Sequence, residues 1–285
     1  MTDWLDDLWL EPGPPYLAMG TRALKLDHWL VVDDDRDFYL AQKAALLQSD
    51  LPSVFAATPG SEDAGAEVLA EVQAWLSDRG VEIAAPSGDA HPLIEAARLV
   101  QEDLAVMQKI EGEWVLTAGA VCFPTHWCIA DKVGSSLAGV HGPVAHYENE
   151  LSAKVDRLHD RLRVDRPVWR RNWVVAPTSR LDLIERGGLA NAGTPNVGLV
   201  IEPDGSPMWI RSERQTLRRL PNTDAIVFTI LVQRTPLGVL LERPDVAQRM
   251  LSVTDSWDAE KRMYASTGGA LRQLNDWLAK VARVG

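Results

Sequence analysis

Cysteine is nearly absent. Only Cys122 and Cys128 occur in 285 residues, too few and too close for a disulfide framework, and such usage fits a reducing compartment. Long apolar runs are missing as well: none reaches the ~18 residues that a bilayer-spanning helix needs. Basic charge is in short supply, with 29 Lys and Arg against 40 Asp and Glu and a net charge of −11. That balance argues against nucleic acid, whose phosphates need clustered cations, and against an anionic membrane surface. The opening "MTDWLDDLWLEPGPPY" has neither the basic start nor the apolar stretch of a signal peptide. A soluble, cytoplasmic protein is expected. Nucleotide and hydrolase motifs are lacking too: there is no GxGxxG, no Walker A loop and no GxSxG. A redox reaction run by this chain would therefore draw its electrons from elsewhere.

Phenylalanine is scarce, at 4 residues, whereas tryptophan reaches 11. Tryptophan offers a large flat surface and one donor, which suits thick packed layers or the walls of a flat cavity. Acidic residues are concentrated early, in "DDLWLE" and "VVDDDRD", and basic residues later, in "RLHDRLRVDRPVWRR" and "RSERQTLRR". The later region is either a solvated face or a place that holds an anion.

Apolar residues make up 46% of the chain, enough for a core in one large domain or two small ones. Up to about Tyr16 the chain reads as extended and proline-rich. Helices are expected at Phe38 to Gln48 and Asp63 to Leu76, the second with Val68, Leu69, Val72, Trp75 and Leu76 on one face. Another is expected across "PSGDAHPLIEAARLVQEDLAVMQK", capped by Asp89 with Pro92 in its first turn. "EWVLTAGAVCF" has strand composition, and a short helix at about Trp127 to Val133 ends at Gly134. Leu151, Val155, Leu158 and Leu162 share one face of a further amphipathic helix. "RNWVVAP", "NVGLVIE", "PMWIRSERQTLRRL" and "AIVFTILVQ" read as strands, with "EPDGSP" and "PNTD" as turns. Helix returns from Pro244 to Leu251 and again through Leu271, Leu274, Trp277, Leu278 and Val281. Short turns between consecutive strands imply an antiparallel meander, so the expected class is α+β, with about five strands and helices before, inside and after them.

One strand carries unusual chemistry. In "WIRSERQTLRRL", alternation places Arg211, Glu213, Gln215 and Arg219 on one face and Ser212, Arg214, Thr216 and Arg218 on the other. A strand polar on both faces is an edge, a strand crossing a solvated region, or the polar wall of a pocket where arginines pair with carboxylates. Among the histidines, His91 beside a helix start and His159 on a charged helix read as structural. His141 and His146 lie in "LAGVHGPVAHYEN", a loop between two apolar segments. Gly139 and Gly142 remove bulk near His141, so a flat group can approach it. Cys122, His126 and Cys128 lack the spacing of a zinc knuckle and have no second pair.

Four blocks, "MGTRALKLDHWLVVDDDRDFYLAQKAALL", "VCFPTHWCIADKVGSSLAGVHGPVAHY", "RPVWRRNWVV" and "RSERQTLRRLPNTDAIVFTI", occur in order over roughly residues 17 to 235. Together they resemble the haem-dependent oxidative N-demethylase family, the haem subunit of dimethylamine monooxygenases. The resemblance implies a PAS-like antiparallel five-stranded sheet with flanking helices. It implies one haem-binding domain over residues 1–285, with its core at about 90–235 and helical N- and C-terminal extensions. It further implies heme b, a b-type haem, on a histidine ligand, a small secondary methylamine and O2 as substrates, and a separate flavin and iron–sulfur reductase subunit as electron source. A homo- or hetero-oligomer accords with that division of labour. The family's pattern of histidine before a small residue, proline and valine falls on His141-Gly142-Pro143-Val144, which makes His141 the implied axial ligand. His126 stands where the family pattern has arginine, and His146 where it more often has another residue; both stay open as alternative ligands. Arg214 and Arg218 become candidates for the haem propionates and Glu213 for a cationic ligand or a catalytic role. Trp127, Trp169 and Trp173 become candidate cavity walls, suited to an alkylammonium through cation–π attraction, with plain core packing as the alternative for each.

The implied reaction hydroxylates an N-methyl group, and the carbinolamine collapses to formaldehyde and a primary amine. The competing reading is a PAS-like haem sensor or redox module without catalysis, although no linker or heptad run offers a signalling output.

Overall fold

The architecture is built around two strands of equal length. β6 (Trp209–Arg219) and β7 (Ile226–Pro236) form a long antiparallel hairpin, closed by the "PNTD" turn, where Asp224 has φ 60° and the Leu220 N–H donates to the Ala225 carbonyl. The computed structural model describes residues 3–8, 10–11, 20–83, 85, 88, 90–141, 152–184, 200–258 and 270–283. β5 (Val168–Ala176) pairs with β6 on one side, and β3 (Asp103–Ile110) pairs with β7 on the other. β3 turns into β4 (Glu113–Ala120) through Glu111 and Gly112, at φ 51° and 92°, the positive-φ pair that a two-residue hairpin loop needs. Short edge strands β1 (Arg22–Ala23) and β2 (Phe55–Ala57) complete an antiparallel sheet of order β1-β5-β6-β7-β3-β4-β2.

The helices are α1 (Arg36–Ser49), α2 (Leu51–Val54), α3 (Glu62–Ser77), α4 (Pro92–Ala97), α5 (Leu137–His141), α6 (Ser152–Arg161), α7 (Pro244–Asp255) and α8 (Ala270–Ala282). They cover both faces of the sheet. On one face, Val68 and Val72 of α3 and Leu93 of α4 pack with Trp29 against Leu104, Ala118, Ala120 and Val227. Toward the Trp209 end, α7 and α8 bury Met250, Leu274 and Leu278 with Leu5, Leu8 and Ile210. On the opposite face, α5, α6 and the segment leaving β4 pack against Ala105, Met107, Leu116, Leu217 and Ile226. Gly119 permits the close approach of that segment: a Cβ there would lie 2.3 Å from Ile129 Cδ1. Among the described residues no helix is long and apolar enough to cross a membrane.

The α+β class and the antiparallel meander are as expected, but the sheet has seven strands and helices on both faces rather than a five-stranded PAS arrangement. The single helix expected up to Lys109 breaks after α4. Its second half is β3, because "DLAVMQKI" finds partners on both sides and the Glu111-Gly112 turn folds β4 back onto it. Asp89, its expected cap, lies outside the described residues; His91 caps α4 instead, its Nδ1 accepting the Leu93 N–H at 3.1 Å. The edge-strand reading of β6 is overturned too, since it lies between β5 and β7. Within "NVGLVIE", Val200, Ile201 and Glu202 form no strand, and the rest lies outside the described residues.

Candidate functional site

The pleat of β6 sends Arg211, Glu213 and Gln215 to the face covered by α5 and α6. On neighbouring β5, Asn172 stands directly opposite Glu213 and Arg170 opposite Gln215, so Arg170 lies diagonal to Glu213 on the same face. The Glu213 carboxylate is held from three sides. Oε1 accepts the Thr125 hydroxyl at 2.7 Å, and Oε2 accepts Asn172 Nδ2 at 3.1 Å and Gln215 Nε2 at 2.9 Å. The Glu213 backbone N–H donates in turn to Asn172 Oδ1 at 3.1 Å. Leu217, Ile226, Ile230 and Val232 on this face are buried, whereas Arg170, Asn172, Glu213, Gln215 and Phe228 are only half-buried. Trp127 and Phe228, both half-buried, each pack against the same two apolar clusters, and Phe228 stands opposite Leu217, farther along β6 than Glu213. The sheet face is thus half-open around one fixed carboxylate, with Phe228 farther along it.

Thr125 comes from the "CFPTHW" bend after β4, and buried charge clamps that bend. Arg211, 2% exposed, donates from Nε to Thr125 Oγ1 at 3.0 Å and from its terminal nitrogens to the carbonyls of Phe123 and Leu181 at 2.7 and 2.6 Å. Asp103, wholly buried, accepts the N–H groups of Cys122 and Phe123 at 2.9 and 2.8 Å. Lys43 of α1 faces Asp103 and donates to the carbonyls of Val100 and Glu102. A continuous set of contacts therefore runs from α1 through Asp103, the bend and Arg211 to Thr125 and Glu213. Burial pushes the Asp103 carboxyl up, opposed first by Lys43. Burial likewise pushes the Arg211 guanidinium down, opposed first by Glu213.

The expected site residues divide between the two faces. Glu213 and Trp127 share the open face. Arg214 and Arg218 point to the other one, as the alternation reading had them, and their guanidiniums are engaged there. Arg214 donates to the carbonyls of Trp29, at 3.1 Å, and of His28. Arg218 pairs with Glu71 of α3 and lies over the Trp29 ring, 4.4 Å from its centroid. Trp169 and Trp173 also occupy that face. Trp169 packs against the α3–α4 cluster, and Trp173 stacks near Trp257, with centroids 5.9 Å apart.

His126 sits on the clamped bend at φ 62°. Although much of the residue is exposed, partial burial and then the Arg211 charge hold its ring below the usual histidine range. His141 is the last residue of α5, with its side chain outside the described residues, as is the whole of His146.

Sequence reading placed Arg211, Glu213 and Gln215 on one face but missed Thr125, Asn172, Arg170 and Phe228 as their neighbours. For Asn172 and Arg170 a signal existed in the alternation of "WRRNW". Thr125 offered none, since its bond to Glu213 spans 88 positions of chain.

A family model described as haem-dependent oxidative N-demethylase, alpha subunit-like, matches residues 77–269, which is 193 of the 285 residues. The matched stretch contains the sheet from β3 to β7, helices α4 to α7, and every residue of the open face named above.

Proposed function

The chain belongs to the haem-dependent oxidative N-demethylase, alpha subunit-like family, and on that premise we propose that it is a haem-dependent monooxygenase that removes a methyl group from a small, dimethylamine-like secondary amine. In this reading residues 1–285 form one haem-binding domain that works in the cytoplasm beside a separate flavin and iron–sulfur reductase subunit. One observation carries the choice of site: the threefold-held Glu213 carboxylate lies on a half-open sheet face that also carries Phe228, with Trp127 packed against the apolar clusters of that face. Such a mixture of flat apolar surface and one fixed charge fits a planar group with a cationic substrate next to it. His141 would hold the iron of heme b, with His146 and His126 as the alternatives. Bound haem would supply the activation of O2, using two electrons from the reductase.

The chain's own groups do the rest. Glu213 attracts the substrate ammonium by charge, and its three donors keep the carboxylate from rotating. Trp127 presents a ring face to the N-methyl groups, an attraction that favours an alkylammonium over a neutral molecule of equal size. After hydroxylation, Glu213 takes the proton from the carbinolamine hydroxyl and returns it to nitrogen. The C–N bond then breaks to give formaldehyde and the primary amine, with no net proton gained or lost. Arg214 and Arg218, expected at the propionates, have their guanidiniums engaged on the other face, so in this reading they support the fold.

The test combines absorbance and turnover. Reconstituted protein should show a Soret band that His141→Ala abolishes or shifts. With a reductase it should release formaldehyde from dimethylamine, and Glu213→Gln should lower that rate at least ~100-fold while leaving the band in place. A Soret band without amine-dependent turnover would favour the sensor alternative. No band at all would overturn the haem reading.

A further inference from the structure

We propose that Arg170 is a carboxylate-binding site, built to receive a carboxylate that does not come from this chain. The arginines of this sheet face differ in what their guanidiniums meet. Arg211 donates to Thr125 and to the Phe123 and Leu181 carbonyls. Arg219 donates to the Leu162 and His159 carbonyls and pairs with Asp224. Arg170 differs from both. Its Nε is sealed from solvent and has no hydrogen-bond partner, and no ion pair reaches it among the described residues. Glu213, the acidic group nearest in the strand register, turns its oxygens to Thr125, Asn172 and Gln215 instead.

A buried guanidinium donor without an acceptor is costly, and a planar carboxylate is the acceptor whose geometry matches the guanidinium fork. Across one strand step, the face then offers a cation at Arg170 and an anion at Glu213. Two carboxylates of different origin suit that place. One is a haem propionate, and this source rests on the function proposed above. The other is the carboxylate of a zwitterionic N-methyl amino acid, whose ammonium would lie against Glu213; this source would change the substrate class from simple amines to N-methylated amino acids.

Titration of apo-protein with haem and with haem dimethyl ester, followed at the Soret band, separates the sources. For the propionate source, wild type should bind haem roughly tenfold or more tighter than the ester, and Arg170→Met should erase that preference with ester affinity unchanged. For the amino-acid source, Arg170→Met should leave haem and ester alike. It should instead weaken N-methylglycine, read as a Soret shift, by a similar factor while leaving dimethylamine unaffected. A variant that changes neither preference overturns the proposal. If wild type binds no haem, the function proposed above fails by itself. The Arg170 Nε–H resonance, identified by its loss in Arg170→Met, then decides: a shift on adding propionate ion supports the site and no shift overturns it.

Discussion

Lys43 and Asp103 face each other at 3.8 Å with neither side chain accessible to solvent. The pair joins α1 to β3, and through the Cys122 and Phe123 N–H groups it sets the start of the bend that carries Thr125. Removing one partner of a buried pair leaves the other charge without compensation, at a cost of about 3–5 kcal/mol. Lys43→Met should therefore lower the melting temperature by about 10 °C. Adding Asp103→Asn to that variant should recover part of the loss, so that the double variant is more stable than the sum of the single effects. Thermal melts of the four proteins check this.

Glu102 gives a pH dependence of known sign. Its side chain is wholly buried, and burial raises its carboxyl to about 7 against the opposing Arg214 charge. In the unfolded chain it titrates at the ordinary glutamate value of 4.5. Between those values the folded state holds the extra proton, so stability is fully present below about 4.5 and is lost as pH rises through about 7. The loss is on the order of 3 kcal/mol. Glu102→Gln keeps an acceptor for the Val31 N–H, which Oε1 now receives at 2.8 Å, and has no proton to lose. The variant should match wild type at pH 4.5 and exceed it at pH 8; parallel denaturant titrations at the two pH values read the difference.

Thr125 links Arg211 to Glu213 through one hydroxyl. Thr125→Val keeps the shape and leaves the buried Arg211 Nε without its acceptor, costing about 1–3 kcal/mol. It also frees one oxygen of Glu213. Stability should fall by that amount in urea. If Glu213 handles the substrate ammonium, the KM for the amine should rise, whereas a change confined to stability would leave KM where it was.

Gly119 is under steric control. Alanine there would put its Cβ 2.3 Å from Ile129 Cδ1 and 2.7 Å from Cγ1, and Ile129 is fully buried. Gly119→Ala should destabilise by about 1–3 kcal/mol. Ile129→Val removes the nearer atom, so the double variant should recover part of the loss, as melting temperatures of the two variants would show.

Much of this was legible in the residues. The amphipathic stripes of α3 and α8 name their own buried faces, because a helix repeats every few residues whatever it packs against, whereas Leu151 of the stripe read for α6 lies outside the described residues and the buried residue of that helix is His159. The two faces of β6 followed from strict alternation, and the structure has the same residues on each. β3 was not legible. "DLAVMQKI" continues the apolar spacing of α4, and only its pairing with both β4 and β7 makes it a strand. The site divided in the same way. Glu213 and Trp127 could be picked out, but that Arg214 is occupied by the His28 and Trp29 carbonyls could not, since those acceptors lie more than 180 positions away.

By itself, then, the chain determined the class of fold, the local periodicities and the pair of polar faces on one strand, all of which depend on neighbours a few residues apart. The tertiary structure decided which face stayed half-open, which arginines were already spent and that Arg170, unlike Arg36, Arg171 and Arg218 with their equally orphaned Nε groups, donates from no other guanidinium nitrogen among the described residues. Those outcomes depend on contacts between segments far apart in sequence, and a buried donor is satisfied or orphaned only by what the fold brings beside it.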